Sequence, residues 1–338
     1  MSESSLHVPR VAFFDAKPYD REYFSRQNSE GTVQITYFEA KLTAETVPLT
    51  RDFDAVCVFV NDSLDAEVLA QLKQNGVRLI ALRCSGYNNV DFSALGNDIP
   101  VVRVPAYSPH AVAEHAVALM LTLNRKTHRA YFRTRDSNFS LSGLIGFDMY
   151  GKTAGIIGTG QIGRITAQIL RGFGMRVLAY DLYPDNTWAA EHDVEYITLP
   201  DIYREADILT LHCPLTPENL YMINKGTLSL MKPNVMIVNT GRGKLINTSD
   251  LLDALKTGRI GQAALDVYEE ETEYFFEDHS SQILADDVLA RLLTFPNVLI
   301  TSHQAFFTYE GLTGIAQVTM NNIVSFFRDE RLENQVTV

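Results

Sequence analysis

Short apolar runs alternate with helix-forming stretches from one end of this chain to the other, in two consecutive series. In the first series the runs cover residues 11–15, 33–38, 55–60, 78–82 and 101–104; in the second they cover 153–158, 175–181, 207–213, 235–240, 262–267 and 298–303. Several are continuously apolar and rich in Val and Ile rather than alternating, as strands buried on both faces of a parallel sheet are. Helix-like stretches lie between them, such as 65–75, closed by Gly76, and 249–256, followed by Gly258 at a helix stop. Strand and helix in strict alternation make βαβ units and a doubly wound α/β fold. Two such series predict two α/β domains with a cleft between them, which a length of 338 residues suits.

The junction is marked by Ser108-Pro109, a helix-capping residue followed by proline at the first helical position. It opens a long apolar helix over 110–123, and the boundary is placed near 105–106. The segment after His303 is helical over 314–328, and its residue pattern alone suits either domain.

Composition excludes several classes of function. Twenty-nine Lys and Arg stand against 41 Asp and Glu, a net charge of −12, so the broad basic field that nucleic acid or an anionic membrane needs is missing. Small anions remain possible ligands, because a local site can bind them. Residues 1–10 are polar and do not read as a secretory signal, and the apolar runs near 55–60 and 117–121 fall far short of the roughly 18 residues that span a bilayer. Cys57, Cys84 and Cys213 are odd in number and show no C-x-x-C spacing, which argues against a disulfide scaffold or a cysteine zinc site. A reduced, cytoplasmic compartment is expected.

Gly158-Thr159-Gly160-Gln161-Ile162-Gly163 fits G-x-G-x-x-G, and its context strengthens a spacing that is weak alone. An apolar strand leads in, a helix follows, and a second strand ends in Asp181, 18 residues past Gly163. Gly158 permits the tight turn, Gly160 lets backbone approach a pyrophosphate, and Gly163 lets helix pack on strand. The amides of Gln161 and Ile162 face the anion. Asp181 can accept both hydroxyls of an adenosine ribose and repels a 2′-phosphate, so the expected cofactor is NAD rather than NADP.

In an open α/β sheet ligands bind beyond the carboxyl ends of the strands. Polar groups gather there: His212-Cys213-Pro214, Asn239-Thr240-Gly241-Arg242-Gly243, Asp266 with Glu269, Glu270 and Glu271, and Ser302-His303. Only two of the eight histidines, His212 and His303, end predicted strands. No ligand spacing supports a metal site, and none is expected.

With these segments in view, the chain resembles the NAD-dependent D-2-hydroxyacid dehydrogenase family over essentially its whole length. The carrying motifs are Gly158–Gly163 with Asp181, the segments 212–216, 239–243 and 264–268, and Phe295-Pro296-Asn297-Val298 leading to His303-Gln304-Ala305-Phe306. The resemblance implies a Rossmann NAD-binding domain over 106–304 and a discontinuous, flavodoxin-like substrate domain from 1–105 and 305–338. It also implies that Arg242, Glu271 and His303 are catalytic. His303 would protonate the ketone of a 2-keto acid, Glu271 would hold its ring in the charged form, and Arg242 would bind the substrate carboxylate. Ser85 and Gly86 would offer amides to that carboxylate, Tyr107 would contact it, and Phe306 would limit the side-chain room. Gln161, Ile162, Asp181, Cys213, Pro214, Asn219, Thr240, Gly241, Arg242 and Asp266 would line the cofactor, with Asp266 on the carboxamide. Pyruvate is the expected substrate, with larger aromatic or branched 2-keto acids the alternative; from another class, an NADH-responsive corepressor-like scaffold is the rival. Tyr87 departs from the small residue expected in its loop, and Phe307 and Tyr309 flank the expected pocket. A homodimer built around the helix from Ser108 is implied as well.

Overall fold

The computed structural model describes residues 8–270 and 274–337. The chain divides into two compact units, one comprising residues up to Ser108 together with those from Phe307 onward, the other Pro109–Phe306.

The first unit holds strands β1 (Arg10–Phe13), β2 (Gln34–Tyr37), β3 (Ala55–Val58), β4 (Leu79–Leu82) and β5 (Val101–Val102). They form one parallel sheet in the order β2-β1-β3-β4-β5. This is the flavodoxin-like order of a doubly wound sheet. Every residue of β3 and β4 is buried, which explains why these segments read as unbroken apolar runs. The C-terminal helix Tyr309–Phe327 packs on helix Pro18–Gln27 within this unit. The Arg78 guanidinium lies over the rings of Phe326 and Phe327, and Asn322 donates to the Arg103 carbonyl at 2.9 Å. That helix starts at Tyr309, earlier than the expected 314, because the Thr308 side chain caps it by accepting the Gly311 amide at 3.0 Å.

The second unit holds β6 (Thr153–Ile157), β7 (Arg176–Tyr180), β8 (Val194–Tyr196), β9 (Ile208–Leu211), β10 (Met236–Asn239), β11 (Gln262–Leu265) and β12 (Val298–Ile300). They form a parallel sheet in the order β12-β11-β10-β9-β6-β7-β8, so the strand order reverses between β6 and β9. This is the Rossmann arrangement with one added strand. The short edge strand β8 has no counterpart among the apolar runs, since only Val194 of its residues is buried. Helix Pro109–Arg125 spends its apolar face inside this unit, against helix Gln161–Gly172 and strands β10 and β11.

Leu209 on β9 is fully buried within the cluster that joins Ile157, Ile202, Ile237 and Leu265. Its replacement by Ala removes packed methyl groups that neighbours cannot easily refill. We expect Leu209→Ala to lower the unfolding free energy by about 2–5 kcal/mol, read from the denaturant midpoint.

Candidate active site

The glycine loop after β6 is shaped by close backbone approaches. Gly158 has φ +93°, and a Cβ there would stand 2.6 Å from the Cys213 amide nitrogen; a Cβ on Gly163 would stand 2.0 Å from the Gly158 carbonyl oxygen. Both positions therefore exclude side chains. Gly160 caps helix Gln161–Gly172 with no side-chain hydrogen bond, and a Cβ there would meet open space. The result is an uncapped helix N-terminus facing a cradle that fits a pyrophosphate.

Asp181 follows β7. Its Oδ2 accepts from the Thr159 amide at 2.6 Å and the Thr159 hydroxyl at 3.0 Å, and its Oδ1 accepts from the Tyr183 amide at 2.9 Å. The Tyr196 hydroxyl lies 2.7 Å from Thr159 Oγ1. Since Thr159 donates its proton to Asp181, Tyr196 donates to Thr159, and the chain of hydrogen bonds holds the carboxylate in place. The sequence pattern points to neither Thr159 nor Tyr196; Thr159 stands at a variable position of the glycine motif, and Tyr196 closes an edge strand with a single buried residue.

After β9, His212 Nε2 lies 3.0 Å from the Thr210 hydroxyl. Desolvation holds the His212 pKa down at about 4, so this strand-end histidine is neutral at ordinary pH and unsuited to donate a proton. The Asn219 side chain shapes the next loop, donating to the Pro214 carbonyl at 2.7 Å and accepting from the Thr216 amide at 2.8 Å. Burial raises the Cys213 thiol to about 11.

After β10, buried Asn239 accepts from the Gly241 amide at 3.0 Å and donates to the Arg242 carbonyl at 2.9 Å, fixing the turn that presents Arg242. Arg242 Nη1 donates to the Gly241 carbonyl at 2.8 Å, and among the described residues the guanidinium makes no ion pair. Thr240 Oγ1 is buried and has no hydrogen-bond partner among the described residues. A cofactor group would satisfy it.

Asp266 is fully buried after β11. Its Oδ1 accepts from the Thr301 hydroxyl at 2.5 Å and the Gln304 amide at 2.9 Å, and its Oδ2 accepts from the Ala305 amide at 2.9 Å. His115 Nε2 lies 3.3 Å from both Asp266 Oδ1 and Thr301 Oγ1. Burial alone would raise the carboxyl pKa, but bonds from His115, Thr301 and the Gln304 amide outweigh it and hold it low. The structure thus places Asp266 beneath the turn that carries His303, with its oxygens serving that turn.

His303 stands beyond the end of β12, in the left-handed region at φ 52°, with its amide donating to the Asp266 carbonyl at 2.6 Å and its ring 5.8 Å from that of Phe276. Such backbone is uncommon away from glycine and concentrates at functional sites. Glu271 lies outside the described residues. Glu269, two positions earlier in the chain, accepts from the Tyr221 hydroxyl and from the Thr248 amide. Ser85, Gly86 and Tyr107 belong to the first unit, partly buried; Phe306 is buried at the end of the second.

Two observations, the glycine cradle with Asp181 and the unsatisfied Thr240 hydroxyl, show that these residues fit a dinucleotide. The protein-family model for the NAD-binding domain of D-isomer-specific 2-hydroxyacid dehydrogenases matches residues 117–305. The chain belongs to that family and is an NAD-dependent oxidoreductase. It is 50% identical over 328 residues to the D-lactate dehydrogenase of Escherichia coli K12, covering 97% of this chain and 99% of the other. Among solved structures, the pyruvate reductase of Chlamydomonas reinhardtii matches with a TM-score of 0.91 at 41% identity, covering 97% of this chain and 99% of that one. The D-lactate dehydrogenase of Lactobacillus jensenii with NAD+ matches with a TM-score of 0.80 at 31% identity, covering 97% and 100%.

The neutral His212 has a consequence for stability. Its folded pKa, at about 4, lies below the unfolded value of about 6.5, so the unfolded chain takes up a proton first as the pH falls. Stability is therefore lost between pH 6.5 and 4, by up to about 3 kcal/mol from this group. We expect His212→Gln to flatten that part of the stability–pH curve; an unchanged slope in denaturant titrations at several pH values would contradict the assignment.

Proposed function

We propose that the chain is a D-lactate dehydrogenase that reversibly reduces pyruvate to D-lactate. The observation that carries the reading is the 50% identity, over nearly the whole of both chains, to an enzyme of that name. The local geometry agrees with it, offering a guanidinium free of ion pairs among the described residues and a histidine held by its own backbone turn.

Bound NADH supplies the hydride that reduces the carbonyl carbon. Arg242 binds the pyruvate carboxylate through its planar fork and polarises the ketone. His303 donates the proton that the ketone oxygen takes up, and accepts it back in the reverse direction. Glu271 would hold the His303 ring. The amides of Ser85 and Gly86 also hold the carboxylate, Tyr107 contacts it, and Phe306 restricts the side-chain room to a methyl group. Gly158, Gly160, Gln161, Ile162 and Gly163 take the pyrophosphate, and Asp181 the ribose. Cys213, Pro214, Asn219, Thr240, Gly241 and Arg242 form the remaining wall, and Asp266 sets the turn behind it.

The active form in this reading is a cytoplasmic homodimer. Helix Pro109–Arg125 uses its apolar face within its own unit, but the segment after it exposes Phe132, Phe139, Leu141, Ile145 and Tyr150 on one stretch of chain. Exposed apolar side chains in that density suit a second copy. No helix among the described residues is long and apolar enough to cross a membrane.

Following NADH oxidation with a panel of 2-keto acids and resolving the product's handedness tests the reading. We expect pyruvate to be preferred and D-lactate to form; L-lactate as product, or preference for aromatic keto acids, would overturn it. His303→Ala should lower kcat by about 10²–10⁴ while NADH affinity stays within about threefold. Loss of NADH binding together with turnover would make His303 structural instead. In sedimentation, the wild-type chain should be a dimer and Ile145→Glu should shift it toward monomer.

A further inference from the structure

The carbonyl groups of the loop after β4 are held by side chains of its own unit. Arg83 roots it: the guanidinium is buried between the rings of Phe13 and Phe59, 4.5 and 4.8 Å from their centres, and donates to the Asp15 carbonyl at 2.7 Å. The chain then turns through Cys84, Ser85, Gly86 and Tyr87. Arg103 Nη1 donates to the Ser85 carbonyl at 2.9 Å, and the Cys84 thiol donates to the Gly86 carbonyl at 3.2 Å. The Tyr87 ring covers the Arg103 guanidinium at 5.2 Å and meets Phe92 edge-on. Arg103 is itself fixed through its backbone, since its amide donates to the Asn334 carbonyl at 3.1 Å and its carbonyl accepts from Asn322 at 2.9 Å.

All peptide bonds here are trans, so the C=O and N–H of one peptide point to opposite sides. With the Ser85 and Gly86 carbonyls held by Arg103 and Cys84, the amides of Gly86 and Tyr87 point away from those two donors. Among the described residues neither amide makes a hydrogen bond. A cation on a carbonyl also polarises the peptide it belongs to and strengthens the N–H on its far side. Tyr87, a departure from the small residue expected there, is accounted for by the same arrangement, because its ring shields and orients the cation.

We propose that Arg103 is a positioning residue for the substrate carboxylate: by gripping the Ser85 carbonyl under the cover of Tyr87, it aims and polarises the Gly86 amide. The proposal rests on the reading of this loop as part of a 2-keto acid site. In this role Arg103 acts through the peptide it grips rather than on the substrate. Its removal loosens an amide aimed at the carboxylate and leaves the proton donor alone, so the effect falls on substrate affinity and on preference for a charged carboxylate.

The test compares pyruvate with its methyl ester, which keeps the ketone and lacks the charge, in wild type, Arg103→Met, Arg103→Lys and Tyr87→Ala. For Arg103→Met we expect the pyruvate KM to rise about tenfold or more, kcat to change less than about threefold, and NADH affinity to hold. The preference for pyruvate over the ester should fall by about tenfold as well. Arg103→Lys, which keeps a cation, should recover part of it, and Tyr87→Ala should move preference the same way by about twofold to fivefold. Should Arg103→Met fail to fold, the Lys and Tyr87 variants decide. Equal losses on acid and ester, or an unmoved preference in the folded variants, would overturn the proposal. A wild-type enzyme that reduces no 2-keto acid would instead sink the functional reading beneath it.

Discussion

The arrangement around His303 depends on one buried carboxylate. Asp266 has no solvent to hydrate it, so the cost of burying its charge must be met by donors from its own chain. They are the Thr301 hydroxyl and the amides of Gln304 and Ala305, with His115 alongside. Three of these donors lie just past β12, so satisfying the carboxylate bends the chain out of the sheet at that point. The Asp266 carbonyl then takes the His303 amide, and His303 is left in a left-handed conformation that extended chain would not adopt. Charge burial at the end of one strand thereby sets the backbone of the residue proposed as proton donor at the end of the next.

This also explains where the sequence was legible and where it was not. The two sheets could be read because their central strands are buried on both faces and must be apolar throughout. The glycine loop could be read because Gly158 and Gly163 meet backbone where any side chain would collide. Strand β8 leaves no apolar run because an edge strand needs few apolar residues, and β12 is shorter than the run at 298–303 because the demand that ends it at Ile300 comes from Asp266, more than thirty residues upstream. Sequence position put His212 and His303 on equal terms. Three-dimensional surroundings separate them, one desolvated against Thr210 and the other placed on a strained turn.

The supporting residues were the least visible. Thr159 and Tyr196 behind Asp181, and His115 and Thr301 beside Asp266, hold groups that motifs do name, but no spacing rule ties them together. Their partners lie between 22 and 186 positions apart along the chain. Hydrogen bonding of that range is decided by how helices and strands stack, which alternation of apolar runs does not encode.

A chain of net charge −12 that must hold a dinucleotide and, in the function proposed above, a keto acid, both anions, faces an unfavourable long-range field. Its answer is short-range. Exposed surface charges are screened within about 10 Å of salt solution, whereas donors fixed by the fold act at contact distance. The first turn behind Gly160 offers backbone amides with no capping side chain. Asn239 fixes the turn of Arg242 so that the guanidinium reaches no carboxylate among the described residues. In the loop after β4 a second arginine works from behind a peptide, its charge covered by Tyr87 and conveyed through the Ser85 carbonyl. In all three places the positive potential sits on oriented donors whose other side is occupied by the protein. Net charge is a property of the surface, and it does not decide what such donors bind.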